Sequence, residues 1–160
     1  MSVWGALAGG LVGTMVISIG LAFGQAVGWS RMDLPLLLGT VFDEDRNRAR
    51  AIGWAAHFVL GLLFSLVYGA IFAAVGHAGW WFGLALGAVH AAFAGGPLPN
   101  LILPAVHPRM GRPWSDARDT PLLEPPGLML ANYGAGTAVL TTVLHLAYGA
   151  IVGGFAAGLS

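Results

Sequence analysis

Residues 51–96 read AIGWAAHFVLGLLFSLVYGAIFAAVGHAGWWFGLALGAVHAAFAGG and contain no Asp, Glu, Lys or Arg. A helix that crosses a bilayer needs about 20 consecutive apolar residues, so this stretch is long enough for two such helices. The link between them is only Gly76-His77-Ala78-Gly79. A connection this short predicts an antiparallel pair of transmembrane helices.

Charge is segregated along the rest of the chain in the same way. The seven basic and seven acidic residues all fall within residues 31–50 and 109–124, and the remainder carries no full charge. A charge at the centre of a membrane costs about 2.5–3.5 kcal/mol even on the mildest scales. The segregation therefore predicts one membrane domain over residues 1–160, with the charges outside the hydrocarbon.

Apolar runs of sufficient length predict an all-α, four-helix transmembrane bundle. Two long connections, residues 30–49 and 97–129, carry all the charge. Each includes a short apolar element, 34–38 and 98–103, which we expect to lie as a helical segment at the cytoplasmic interface. The expected spans are about residues 4–29, 50–76, 79–96 and 130–158.

Arginine placement predicts the orientation. All seven basic residues are arginines, and all lie in the two long connections. The positive-inside rule then places both connections in the cytoplasm and both termini outside.

Composition excludes several classes of function. The chain is 57% hydrophobic and 9% charged, against about 25% charged in soluble proteins. It has no cysteine and a net charge of zero, which excludes disulfides and thiolate-bound metals and gives no reason to expect nucleic-acid binding. Neither GxSxG nor a phosphate-binding GxxxxGK[ST] occurs, so we expect a protein that is not an enzyme.

Several short motifs resemble those of a known group. They are Met32-Asp33-Leu34-Pro35 to Gly39, His107-Pro108-Arg109-Met110, Leu123-Glu124-Pro125-Pro126-Gly127, Asn132-Tyr133-Gly134 and His145 to Ile151. In these the chain resembles a family of small bacterial four-span integral membrane proteins, from Met32 onward. The resemblance supports the four-span topology and supplies no activity.

Glycines recur at helical spacing on three of the predicted spans. Such stripes let helix backbones approach closely. They serve either packing inside the bundle or an outward face that recruits a partner helix. The stripe residues are Gly20, Gly24 and Gly28, then Gly79, Gly83 and Gly87, then Gly149 and Gly153.

Polar residues inside the spans are the main candidates for function. Gln25, His57, His90 and Asn132 come from four different predicted helices. At a rise of about 1.5 Å per residue they lie roughly 7–11 Å below the inner surface, in one polar layer. The start of the fourth helix is not marked by the sequence, so Asn132 is either in this layer or at the mouth of the loop.

Histidines offer three alternatives. His57 and His90, with His145, are candidate ligands of a haem or a metal ion. They are also suited to hydrogen bonds with neighbouring helices or, without an intramembrane Asp or Glu to support it, to a path for protons or small solutes. In the second loop, His107 with Asp116 and Asp119 is a candidate metal site, with a solvated, salt-bridged surface as the alternative.

An internal repeat links the two halves of the chain. Tyr68-Gly69-Ala70-Ile71 recurs as Tyr148-Gly149-Ala150-Ile151. The match arises either from an old duplication of a two-span unit or by chance among Leu-, Gly- and Ala-rich helices.

These observations predict a small, non-enzymatic membrane protein that acts as an accessory or structural subunit. It would pack in the lipid bilayer on other membrane subunits or on copies of itself. Histidine-based binding of haem or a metal ion is the first alternative. A conduit for a small solute or for protons is the second.

Overall fold

The computed structural model describes residues 2–110 and 123–158. Within these residues, four helices are long and apolar enough to cross a membrane. The spans are Val3–Ala26, Arg46–Val75, Trp80–Val106 and Ala135–Gly158. The predicted all-α, four-helix bundle is confirmed, and the chain is a multi-pass membrane protein.

Short helical segments accompany these spans. The third span contains a π-helical turn, Leu98–Ile102. A 3₁₀ segment, Leu128–Tyr133, precedes the last span. Both apolar elements expected in the connections are thus helical. In chain order the α-helices are α1 (Val3–Ala26), α2 (Leu34–Gly39), α3 (Arg46–Val75), α4 (Trp80–Gly95), α5 (Leu103–Val106) and α6 (Ala135–Gly158).

Two aspartates set where α2 and α3 begin. The Asp33 carboxylate accepts a hydrogen bond from the backbone N–H of Leu36 at 3.1 Å. The Asp45 carboxylate accepts from Asn47 at 3.1 Å and from Arg48 at 2.9 Å. Such caps satisfy N–H groups that have no partner within the helix. Because Asp45 caps α3, this helix begins earlier than the predicted residue 50.

Left-handed backbone conformations move two other boundaries. Gly28 has φ +76°, and the N–H of Trp29 bonds back to the carbonyl of Gly24 at 2.8 Å, so α1 ends at Ala26 and not at residue 29. Met129 and Leu130 have φ of 53° and 61°. Such residues cannot continue a right-handed helix, and α6 therefore begins at Ala135 and not at residue 130.

Glycines bring α4 and α6 into backbone contact. A Cβ on Gly83 would overlap the carbonyl of Gly149, and a Cβ on Gly149 would overlap that of Gly83. A Cβ on Gly153 would likewise overlap the carbonyl of Gly79. Helix α1 also packs on α6, and α3 packs on α1, so α6 is at the centre of the packing.

The other stripe glycines also lie at inner contacts, with one exception. Gly87 faces the backbone of α6, and Gly20 and Gly24 face leucine side chains of α6. These positions serve packing inside the bundle. Gly28 does not serve packing inside the bundle, because no atom of the described residues lies within 4 Å of the place its Cβ would take. Glycine is suited to that position by its positive φ.

The two charged connections meet at one end of the bundle. Arg109 of the second connection lies 2.8 Å from the Glu44 carboxylate of the first. At the opposite end the backbone N–H of Ser2 donates to the carbonyl of Ala156 at 3.5 Å. The described parts of both charged segments therefore lie at one end of the bundle, and the two ends of the described chain lie at the other.

Substitution of adjacent glycines in α6 tests the backbone contact. Gly153→Val places a branched side chain against the backbone of α4, whereas the Cβ of a Gly154→Val variant meets only Trp80 Cβ at 3.9 Å. We expect Gly153→Val to lower the free energy of unfolding by about 2 kcal/mol more than Gly154→Val. Denaturant titration of both variants in detergent, followed by circular dichroism, measures the difference. Equal losses would contradict the contact.

Candidate functional site

A cavity of about 370 Å³ lies among the four spans, beside α2 and the π-helical turn. Its walls are mostly aliphatic and aromatic. Helix α4 packs on α6 through glycines but meets α3 through rings: the centroids of Phe64 and His90 lie 4.0 Å apart, and those of Phe64 and Phe93 6.2 Å apart. The wider spacing of α3 and α4 leaves the cavity between them.

Three histidines line this cavity: His57 from α3, His90 from α4 and His145 from α6. His90 and His145 contact each other edge to face, with ring centroids 4.7 Å apart. The ring of His57 contacts Trp54 and Phe58 on its own helix. The structure thus brings the three residues predicted as candidates to one cavity, in which His90 and His145 form a pair.

Two tyrosines contact each other and the histidine pair. Neither was among the predicted site residues. Tyr68 and Tyr148 contact each other at a centroid distance of 5.7 Å, and each contacts His90, at 5.9 and 5.7 Å. The Tyr68 hydroxyl lies 3.4 Å from Nδ1 of His90. The Tyr148 hydroxyl donates to the carbonyl of Gly61. The repeated YGAI motif was the signal that could have identified them, since each copy begins with one of these tyrosines.

Two polar atoms, in residues that line the cavity, have no hydrogen-bond partner among the described residues. They are Nε2 of His57 and Oγ1 of Thr141, and both are fully buried. His57 is nine-tenths buried and Thr141 is 4% exposed. A buried polar group without a partner costs about 1–3 kcal/mol, so such groups in a native structure require an explanation. One such explanation is a bound molecule that supplies the missing hydrogen bonds.

The histidine pair does not fit a haem. Axial ligation places two imidazole nitrogens on opposite sides of the iron, each about 2 Å from it. The edge-to-face contact of His90 and His145 leaves no space for a porphyrin between their rings. Within residues 2–110 and 123–158, no group of three or more His, Cys, Asp or Glu side chains is placed to hold a metal ion.

The predicted polar layer is divided in the structure. Gln25 donates to the carbonyl of Met32 and shares a second cavity, of about 220 Å³, with His57. Asn132 takes the second of its two expected places, at the loop: it lies in the 3₁₀ segment before α6, and its amide donates to the carbonyl of Pro125 at 2.8 Å. It belongs to the loop because the left-handed residues before it delay the start of α6.

His107 links the two charged connections. Its Nε2 donates to the carbonyl of Leu37 at 3.0 Å and lies 3.3 Å from the Thr40 hydroxyl. Its Nδ1 accepts from the backbone N–H of Arg109 at 3.1 Å. Burial lowers the pKa of His107 and the charge of Arg109 lowers it further, while the bond to the Leu37 carbonyl opposes both.

The structure does not support the candidate metal site at His107. Both ring nitrogens are engaged by protein groups, so neither is available to a metal ion. The other expected ligands, Asp116 and Asp119, lie outside the described residues.

Comparison of the chain with protein-family models, with curated proteins and with solved structures finds no match. The functional conclusion therefore depends on the cavity and its polar groups.

The link at His107 predicts a loss of stability in acid. The unperturbed pKa of histidine is about 6.5, and the pKa in the folded protein is lower. The unfolded chain therefore takes up a proton first as pH falls, and the contribution of His107, present above pH 6.5, is lost below it.

In His107→Gln, the side-chain amide retains a donor toward Leu37 and does not titrate between pH 4 and 8. We expect the midpoint of thermal unfolding of the wild type to fall more steeply than that of His107→Gln below about pH 6.5. Parallel pH profiles of the two proteins would show that His107 does not cause the loss.

Proposed function

We propose that this protein binds a small, lipid-soluble molecule in the cavity among its four spans. The supporting observation is that His57, His90, His145 and Thr141 line a cavity whose other walls are largely apolar, and that Nε2 of His57 and Oγ1 of Thr141 have no hydrogen-bond partner among the described residues. A volume of about 370 Å³ lies within the range of about 300–1,000 Å³ that is usual for ligand pockets.

Charge considerations favour a neutral ligand. Among the described residues that line the cavity, none is Asp, Glu, Lys or Arg. A charged group without a counter-charge is costly at this depth. A neutral molecule with an apolar body and a polar head can reach the cavity from the bilayer and replace the missing hydrogen bonds.

Filling the cavity tests this proposal. Ala94 lines the cavity and is half-buried, whereas Ala92 on the same helix is exposed. Protein purified with its native lipids is expected to carry a small lipid-soluble molecule enriched over the surrounding membrane, in the wild type and in Ala92→Phe. In Ala94→Phe the added ring occupies the space, so we expect at least a tenfold lower yield of that molecule.

Mass spectrometry of solvent extracts measures the yield, with the same membranes without the protein as a blank. Identical extracts from all three proteins, without enrichment over the blank, would contradict the proposal.

Orientation is a second part of the proposal: the charged end faces the cytoplasm of a bacterial inner membrane, and both termini lie outside. It is supported by the seven arginines, all in the two connections, and by the meeting of these connections at one end. Membership of the resembled bacterial four-span family stays a prediction.

Cysteine labelling tests the orientation, because the chain has no cysteine of its own. A membrane-impermeant maleimide added to intact spheroplasts is expected to label His77→Cys, in the turn between α3 and α4, and to spare Glu44→Cys until the membrane is opened. The reverse order of labelling would show that the charged end faces outward.

An accessory role in a larger membrane assembly stays a prediction from the sequence, as does the absence of enzymatic activity. The glycine stripes that suggested a partner helix lie at contacts within the bundle, except at Gly28. Co-purification of other subunits in mild detergent tests that role, and a monomer with no companion would count against it.

A further inference from the structure

The hydrogen bond of His145 within α6 determines which of its nitrogens carries the hydrogen. Nδ1 of His145 lies 2.8 Å from the carbonyl oxygen of Thr141, one turn earlier. A carbonyl oxygen only accepts, so Nδ1 is the donor. A neutral imidazole carries a single N–H, and its other nitrogen, Nε2, is then an acceptor.

The ring of His145 is neutral for an electrostatic reason. No Asp or Glu occurs within the four spans, so no counter-charge is available to an imidazolium there. A cation without one is strongly disfavoured in an apolar interior. The ring therefore offers an acceptor, and not a second donor, to the cavity that it lines.

The Thr141 hydroxyl complements this acceptor. Thr141 and His145 are four residues apart on α6, which places their side chains on one face of the helix, about 5–6 Å apart at Cβ. Both line the cavity, and Oγ1 of Thr141 has no partner among the described residues. A hydroxyl both donates and accepts, so this face presents one acceptor beside one group that can donate.

We infer that the ligand carries a hydroxyl group, and that this hydroxyl donates to Nε2 of His145 and accepts from Oγ1 of Thr141. The inference rests on the proposed binding function and narrows it to a neutral alcohol or phenol with an apolar body. An ether, ester or ketone of the same shape only accepts and leaves Nε2 of His145 buried without a hydrogen. His57, from α3, lines the same cavity, and its Nε2 has no partner among the described residues.

A matched pair of probes separates the two classes of ligand. Radiolabelled farnesol and farnesyl methyl ether share one apolar body. They differ in that a methyl group replaces the hydroxyl hydrogen of farnesol in the ether. Binding of each is measured to the full chain in nanodiscs, with empty nanodiscs subtracted. We expect the wild type to bind farnesol about tenfold more tightly than the ether, the effect of one hydrogen bond at a buried acceptor.

Two histidine variants test the assignment to His145. His145→Phe keeps a flat ring but removes the acceptor. We expect this variant to bind farnesol and the ether about equally tightly. His77→Phe changes a ring that contacts Trp81 outside the cavity, and we expect it to retain the tenfold preference. Retention of the full preference by His145→Phe would overturn the assignment.

Nitrogen NMR of the wild-type histidines gives a readout that does not depend on how a variant folds. We expect Nε2 of His145 to resonate as an unprotonated nitrogen and to shift when farnesol, but not its ether, is added. A protonated Nε2 would overturn the inference. Equal binding of both probes by the wild type would overturn it while leaving the proposed function intact, and binding of neither would overturn both.

Discussion

Backbone contact between α4 and α6 is the constraint on which the rest of this bundle depends. The backbone of Gly149 occupies the place that a Cβ on Gly83 would take, and the backbone of Gly83 occupies the place of a Cβ on Gly149. In a bilayer, helices associate through van der Waals packing, and glycine permits the closest approach. Because α1 and α4 are both held against α6, the remaining pair, α3 and α4, can meet only through aromatic side chains. The cavity is a consequence of that asymmetry.

Hydrogen bonding inside the membrane gives the cavity its chemical character. Four of the six serine and threonine side chains in the spans bond to a carbonyl of their own helix, as Thr14 does to Gly10 and Ser18 to Thr14. This is how a polar side chain is satisfied where there is no water. Nε2 of His57 and Oγ1 of Thr141 depart from it, and both lie at the cavity. These departures are the observation from which the proposed ligand is inferred.

The charged end of the molecule is organised by different forces. Arg50 makes two contacts to one oxygen of the Asp33 carboxylate, at 2.9 and 2.6 Å, and so ties the start of α2 to α3. His107 and Arg109 tie the second connection to the first. Exposed ion pairs of this kind contribute little individually. Together with the buried bonds of His107 they hold α2 and the π-helical turn over one side of the cavity.

Sequence alone determined the number of spans and the location of the charges at one end. Bilayer thickness and the cost of buried charge act on composition and length, which are written directly in the chain. The end of α1, near Gly28, and the start of α6, after Met129, were predicted at the wrong residues because these boundaries depend on a few residues with left-handed backbone conformations. Tertiary structure alone decided that His57, His90 and His145 share one cavity and that Asn132 stays outside. The reason is that rotation of each helix about its axis is set by contacts with its neighbours, above all the glycine contact of α4 with α6, and not by residues read in order along the chain.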